Sequence, residues 1–276
     1  MRKRPAMEPY VAAAVQMSSG PDRSVNLARA AQLVRQAAER GARLVVLPEV
    51  FVWRGPRGQE REHAERIPGP TTATLGTLAR ELGIYLCAGS LLEAVSSEPR
   101  PFNTSCLFAP DGELVGCYRK LHLFDVDLPG RVTVCESDTR APGSEVVVVP
   151  TEVGTLGLSV CYDLRFPELY RRLARAGAEI LLVPSAFTFP TGAAHWEVLC
   201  RARAIENQSY VLAADQTGLS PNGVPDYGDS CIIDPWGRVL ARAGDGDGVV
   251  TATIDLGYLA RVRREMPCLA HMRLTT

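Results

Sequence analysis

The chain has 276 residues, 46% of them hydrophobic, and balances 30 Lys+Arg against 31 Asp+Glu. That apolar content supports a substantial core and excludes a largely disordered chain, and the missing basic surplus argues against a grip on nucleic acid or an anionic membrane. No run approaches the roughly 18 apolar residues of a membrane span, and the expectation is a soluble cytoplasmic protein.

The start, MRKRPAMEPY, is basic but leads only into a short apolar strand over residues 11–17, with no small-residue cleavage site, so no signal peptide is expected. Residues 33–51, LVRQAAERGARLVVLPEVF, read as an amphipathic helix, a Gly41 C-cap, a buried strand over 44–47 and a Pro48 turn. A helix over 72–82 and a strand over 84–90 follow, then a hairpin at 103–116, NTSCLFAPDGELVG, turned by Pro-Asp-Gly. A short link at 138–144 runs into a strand over 146–149 and another over 155–161, with a helix starting near Pro167.

Residues 169–187, LYRRLARAGAEILLVPSAF, then align without gaps on residues 33–51. A helix over 195–207 and a strand over 210–215 come next, and GDSCIIDPWGRVLA at 228–241 aligns on the first hairpin. Two echoes in the same order indicate two similar halves, about 9–120 and 150–256, each a sheet with helices on one face. Packed sheet to sheet they form an α/β fold, a four-layer α-β-β-α sandwich. No Pro/Gly/Ser linker marks the midpoint, so one domain over 1–276 is expected in preference to two doubly wound domains.

The eight cysteines include no C-x-x-C, and Cys87, Cys106, Cys117, Cys200 and Cys231 sit in apolar stretches where a free thiol packs as a small hydrophobe. The four histidines do not pair at metal-ligand spacing, so neither a metal nor a cofactor is expected.

Sites in open α/β sheets form beyond the carboxyl ends of strands. Three residues with chemistry stand there: Glu49, Lys120 and Cys161. The echo places Ser185 opposite Glu49 and Gln16 opposite Cys161, as expected if a duplicated scaffold keeps one active site. Cys161 at a strand-to-helix corner reads as a nucleophile whose thiolate the helix dipole favours, or as one more packing cysteine. Glu49 reads as a base or a loop carboxylate, and Lys120 as an oxyanion partner or an ordinary exposed lysine. Arg165 reads as a fork for a substrate carboxylate or as a partner of Glu168. Together a carboxylate, an ammonium and a thiol can carry acyl transfer through a thioester.

The segments LPEVF, YRKLHLFD and VCYDLRFPEL, in that order and at those spacings, resemble the three signature segments of the nitrilase, or carbon–nitrogen hydrolase, superfamily. The resemblance runs from Val11 to about Pro267. It implies Glu49 as general base, Lys120 as oxyanion-stabilising residue, Cys161 as nucleophile and, from LPGRVTVCESD, Glu136 as a supporting glutamate. It also implies the four-layer sandwich and a homodimer whose sheets extend across the interface. HLFDVDLPG, CESDTRAPG and TGAAHWEVLCRARAIENQSYV are similar to the Nit branch, the omega-amidases and deaminated glutathione amidases.

That branch implies hydrolysis of the terminal amide of a small carboxylated linear amide to acid plus ammonia. Tyr162, Arg165, Ser185 and Phe187 are the expected substrate-binding residues. The segment WRGPRGQ at 53–59 departs from both subgroups. Rival readings are a nitrilase, a Cys-His-Glu glutaminase drawing on His195 and Glu197, and a catalytically silent binding homologue.

Overall fold

The computed structural model describes residues 8–274, so all but the last residue of MRKRPAME lies outside them. The first half runs β1 (Tyr10–Gln16), α1 (Arg23–Glu39), β2 (Ala42–Val46), α2 (Pro70–Leu82), β3 (Tyr85–Cys87), β4 (Leu91–Val95), β5 (Glu98–Phe108) and β6 (Leu114–Arg119). A hairpin, β7 (Asp125–Leu128) and β8 (Val132–Cys135), stands between the halves. The second half runs β9 (Val148–Thr151), β10 (Gly154–Leu158), α3 (Pro167–Arg175), β11 (Ile180–Ser185), α4 (Phe189–Asn207) and β12 (Tyr210–Asp215). It continues through β13 (Thr217–Leu219), β14 (Pro225–Tyr227), β15 (Cys231–Ile233), β16 (Val239–Arg242), β17 (Gly248–Ile254) and α5 (Leu256–Glu265).

Local chemistry explains the repeated unit. Asp22 caps α1 by accepting hydrogen bonds from the Ser24 and Val25 amides. Ala30, Leu33, Val34 and Ala37 recur at helical spacing and are buried. The helix then ends at Gly41, whose φ of 84° is open to glycine. The strands that follow, LVV in β2 and ILLV in β11, are continuous apolar runs because both of their faces are covered.

In the first sheet β1, β2 and β3 are parallel, and β5 pairs antiparallel with β3, β4 and β6. In the second, β10, β11 and β12 are parallel, and β15 and β16 follow antiparallel. The run β1-β2-β3-β5-β6 is thus repeated by β10-β11-β12-β15-β16, as the echo implies, and β4 has no counterpart in the second sheet. Ala12, Ala14, Leu44 and Val46 of the first sheet share one buried core with Leu156, Leu158 and Leu182 of the second. Ala13, Val15 and Val45 face the other way, onto Leu33, Val34, Leu75 and Leu78 of α1 and α2. The layers run helices, sheet, sheet, helices, as in the four-layer sandwich.

Some boundaries differ from the sequence reading. Helix α4 begins at Phe189, not at His195, because Gly192 is not a break. A Cβ on Gly192 would lie 2.3 Å from the Tyr227 ring, so this glycine admits a close approach inside the helix. The strand expected over 84–90 is shorter, and Gly89 turns the chain at a φ of 50°. The hairpins β7–β8 and β13–β14 carry no strong strand pattern and were not expected. Both flank the site described next.

Candidate active site

Glu49 follows β2 on a loop held from every side. Its amide donates to the Ser185 carbonyl at 3.2 Å, and its carbonyl accepts from Gln216 Nε2 at 2.9 Å. Val50 beside it has a φ of 45°, costly for a β-branched residue, and its amide donates to Ser90 Oγ at 2.9 Å. The main chain of Glu49 is thereby fixed, which leaves its side-chain oxygens to other partners. Those oxygens face Lys120, whose Nζ donates to Glu49 Oε1 at 2.9 Å and to Glu136 Oε2 at 2.8 Å. Lys120 is 1% exposed, so it is not an ordinary surface lysine. Asn103 Nδ2 donates to Glu49 Oε1 at 2.7 Å, and Arg140 Nη1 to Glu136 Oε1 at 2.5 Å.

Two carboxylates and two cations therefore balance in one buried cluster. Burial disfavours the charged form of Glu136, but the Lys120 ammonium and Arg140 guanidinium outweigh it and hold its pKa at about 2. Burial also works against the ammonium of Lys120, and Glu136 and Glu49 override that and keep it protonated above the usual lysine range.

Cys161 opens a 3-10 turn, Cys161–Arg165, at a φ of 50°, a strained value for a side-chain-bearing residue. Asp163 secures the turn: Oδ2 accepts from the Val160 amide at 2.9 Å and from the Tyr118 hydroxyl at 2.6 Å. The amides that open such a turn lack partners within it, which leaves the Tyr162 N–H available to an oxyanion. The expected help from a helix dipole is absent, because α3 starts only at Pro167. Burial, and then the nearby Glu49 carboxylate, push the Cys161 thiol well above its ordinary pKa, with Lys120 and the Ala186 amide offsetting only part. Cys161 is held as a thiol beside the Glu49 carboxylate, not as a preformed thiolate.

These groups open on a cavity of about 440 Å³, bounded by Trp53, Arg54 and Arg57 on one side and by Thr133, Ser220 and Asn222 from the two unexpected hairpins. A narrow recess lies at Cys161 among Phe124, Tyr162, Arg165, Phe187 and Thr191. Tyr162, Arg165 and Phe187 therefore stand together beside the thiol. The Arg165 guanidinium lies 5.4 Å from the Phe187 ring centroid and 3.2 Å from His195 Nδ1, and it makes no ion pair with Glu168 among the described residues.

Ser185 does not reach this space. Its side chain is fully buried and turns to the Val183 carbonyl, and only its main-chain oxygen serves the site, through Glu49 and Gln216. His195 is exposed on the second turn of α4 and Glu197 pairs with Arg201 and Arg242, so no Cys-His-Glu triad forms. Asn103, Arg140 and Gln216 escaped the sequence reading. Asn103 opens the NTSC echo, a signal available in retrospect, whereas nothing local marks the other two. All eight cysteines are free; Cys117, expected to pack, is exposed.

The chain also matches known proteins over most of its length. Residues 11–264 match the family model described as carbon-nitrogen hydrolase. The chain is 43% identical to the omega-amidase NIT2 of Xenopus tropicalis over 92% of this chain and 91% of that protein. It is 44% identical to a deaminated glutathione amidase of Synechocystis sp., over 96% and 98%. Among solved structures, Saccharomyces cerevisiae Nit3, described as a member of branch 10 of the nitrilase superfamily, superposes with a TM-score of 0.88 at 33% identity, covering 99% of this chain and 100% of that one. A thiol set between a lysine and two glutamates, on a duplicated four-layer sandwich matched nearly end to end, places this chain in the carbon-nitrogen hydrolase family.

Proposed function

We propose that the protein is an amidase that hydrolyses the terminal amide of a small 2-oxo dicarboxylic acid through a cysteine thioester. The observation that carries this reading is Lys120, bridged to Glu49 and Glu136 within reach of a neutral Cys161 thiol. A neutral thiol needs a base at the moment of attack, and Glu49 is the carboxylate beside it. Glu49 takes the thiol proton as the sulfur bonds to the amide carbon. The oxyanion is held by Lys120 Nζ and the Tyr162 N–H. The C–N bond then breaks as the nitrogen takes the proton from Glu49 and leaves as ammonia. Water enters, gives a proton to Glu49 and attacks the thioester. The C–S bond breaks, the acid departs, and Glu49 returns the proton to the sulfur.

Glu136 and Arg140 fix the lysine from behind, and Arg165, beside Phe187, is the candidate partner of the acyl carboxylate. The unbroken inter-sheet core supports one catalytic domain. The eight free cysteines support a reducing, cytoplasmic setting. Exposed Val198, Ile205 and Trp236 on α4 and the β15–β16 turn support a homodimer.

The test is a hydrolysis screen over 2-oxoglutaramate, deaminated glutathione, simple aliphatic amides and nitriles, following ammonia or released amine. The carboxylated 2-oxo amides are expected to lead in kcat/KM. A catalytic preference for a nitrile or an uncharged amide overturns the assignment.

A further inference from the structure

Outside the site, two thiols face each other across strands β5 and β6. Cys106 and Cys117 are direct register partners in this antiparallel pair. The main chain fixes which kind of step they occupy. The Lys120 amide donates to the Asn103 carbonyl at 2.9 Å, so bonded and non-bonded steps alternate from 103/120, and 106/117 is a non-hydrogen-bonded one. The Cys106 carbonyl agrees, because it turns away from β6 and accepts from the Ala88 amide at 2.8 Å. At such steps facing Cα atoms lie about 4.5 Å apart with their side chains close. That falls inside the roughly 4.4–6.8 Å span that a disulfide bridges.

The surroundings of the two thiols differ. Cys106 lies in the core beneath α1 and α2, whereas Cys117 is exposed and meets a solute first. The Cys106 thiol opposite lowers the pKa of Cys117, and Arg119 adds to this against burial and the Glu93 carboxylate. Cys106 is raised well above the ordinary thiol value, by Cys117 and then by burial. The exposed member therefore supplies the thiolate, and the buried member a thiol within reach of it. The remaining thiols lack this combination. Cys200 and Cys231 influence each other but are both buried. Cys135 faces Asp125 across its hairpin, and exposed Cys268 lies in the turn after α5. The pair also points away from the chemistry. Leu107 and Tyr118, next to it on each strand, face the inter-sheet core, and Asn103 and Lys120 share their side of the sheet.

We propose that Cys106 and Cys117 are a thiol modification site at which a hydroperoxide converts the facing pair to a cross-strand disulfide. The Cys117 sulfur attacks a hydroperoxide oxygen and the O–O bond breaks. The thiol proton leaves with the departing oxygen as water or an alcohol, and Cys117 becomes a sulfenic acid. The Cys106 sulfur then attacks the Cys117 sulfur, the S–O bond breaks, and the hydroxide leaves as water with the Cys106 proton. Two electrons pass from the two thiols to the hydroperoxide, and a dithiol reductant reverses the change. The bridge staples the strand bearing Asn103 to the strand that delivers Lys120, on the face away from both, and leaves Cys161 as a thiol.

The test follows the whole reduced protein through a time course in hydrogen peroxide, with samples blocked by N-ethylmaleimide in urea. Cleavage after Glu113, which lies between the two cysteines, separates their peptides unless a disulfide joins them. Linked peptides, approaching about one bridge per chain, are expected to form before Cys161 loses its maleimide label and to part in dithiothreitol. In Cys117→Ser, a change at an exposed position, Cys106 is expected to keep its label throughout. Loss of the Cys161 label before the link forms overturns the proposal, as does a covalent dimer through Cys117. So does Cys106 still labelled in wild type once Cys117 is oxidised, or Cys106 oxidised just as fast in Cys117→Ser.

Discussion

A lysine with almost no exposure is costly unless its charge is paired, and Lys120 is paired through two of its three ammonium protons, with Glu49 and Glu136. Removing it leaves Glu49 without an ion pair and Glu136 with Arg140 alone, and deletes the proposed oxyanion donor. Lys120→Ala is expected to lower kcat for 2-oxoglutaramate by about 10²–10³ and to cost about 3–5 kcal/mol of stability, read from ammonia release and a urea transition. His195→Ala is expected to keep the wild-type kcat, because His195 faces solvent and Arg165 and not the thiol. Comparable losses in the two variants would return the Cys-His-Glu reading. Glu49, Lys120 and Cys161 were legible because each stands at a strand end inside a recognisable segment. Ser185 was misplaced for a physical reason: an echo transfers a main-chain position, not the direction in which the side chain leaves it. Arg140 and Gln216 act only through tertiary proximity, which no local pattern encodes.

Elements hold the site by the fit of one turn against another. Gly89, in the turn after β3, lies under the Pro48–Glu49 turn after β2, and a Cβ there would come within 1.9 Å of the Pro48 carbonyl oxygen. Gly41 at the end of α1 has an equally left-handed φ, 84°, but nothing within 4 Å. The pair separates conformational strain from steric displacement. Gly41→Ala is expected to cost about 1–2 kcal/mol with kcat unchanged. Gly89→Ala is expected to cost about 2–4 kcal/mol and to reduce kcat, because the chain that must move carries the base. Equal effects on kcat would show that the Glu49 loop does not depend on this contact. The same contrast limits what sequence can say about elements. The helix–Gly–strand units were readable from period and cap, whereas Gly192 looked like a break and is an interior packing residue of α4.

At the scale of the molecule, the two halves are interlocked and not merely stacked. Strand β17, at the end of the second half, pairs with β1 of the first sheet from Tyr10↔Ile254 to Gln16↔Gly248. No local periodicity reveals such a partner. The second sheet is closed from within its own half, by β9 against β10. The active site lies on the seam, since the Glu49 loop is tied to Ser185 and Gln216 of the second sheet and Glu136 stands on the segment between the halves. Charge lost at this seam is therefore expected to loosen the whole fold. Glu136 has a pKa of about 2 when folded against an ordinary 4.5, so the unfolded chain takes up this proton more readily than the folded one. Its contribution is complete above about pH 4.5 and drains away as the pH falls toward 2. Urea midpoints of wild type are expected to fall steeply between about pH 5 and pH 3, and those of Glu136→Gln to start lower and fall less. Parallel pH dependences in the two proteins would mean that the carboxylate at the seam does not set acid stability.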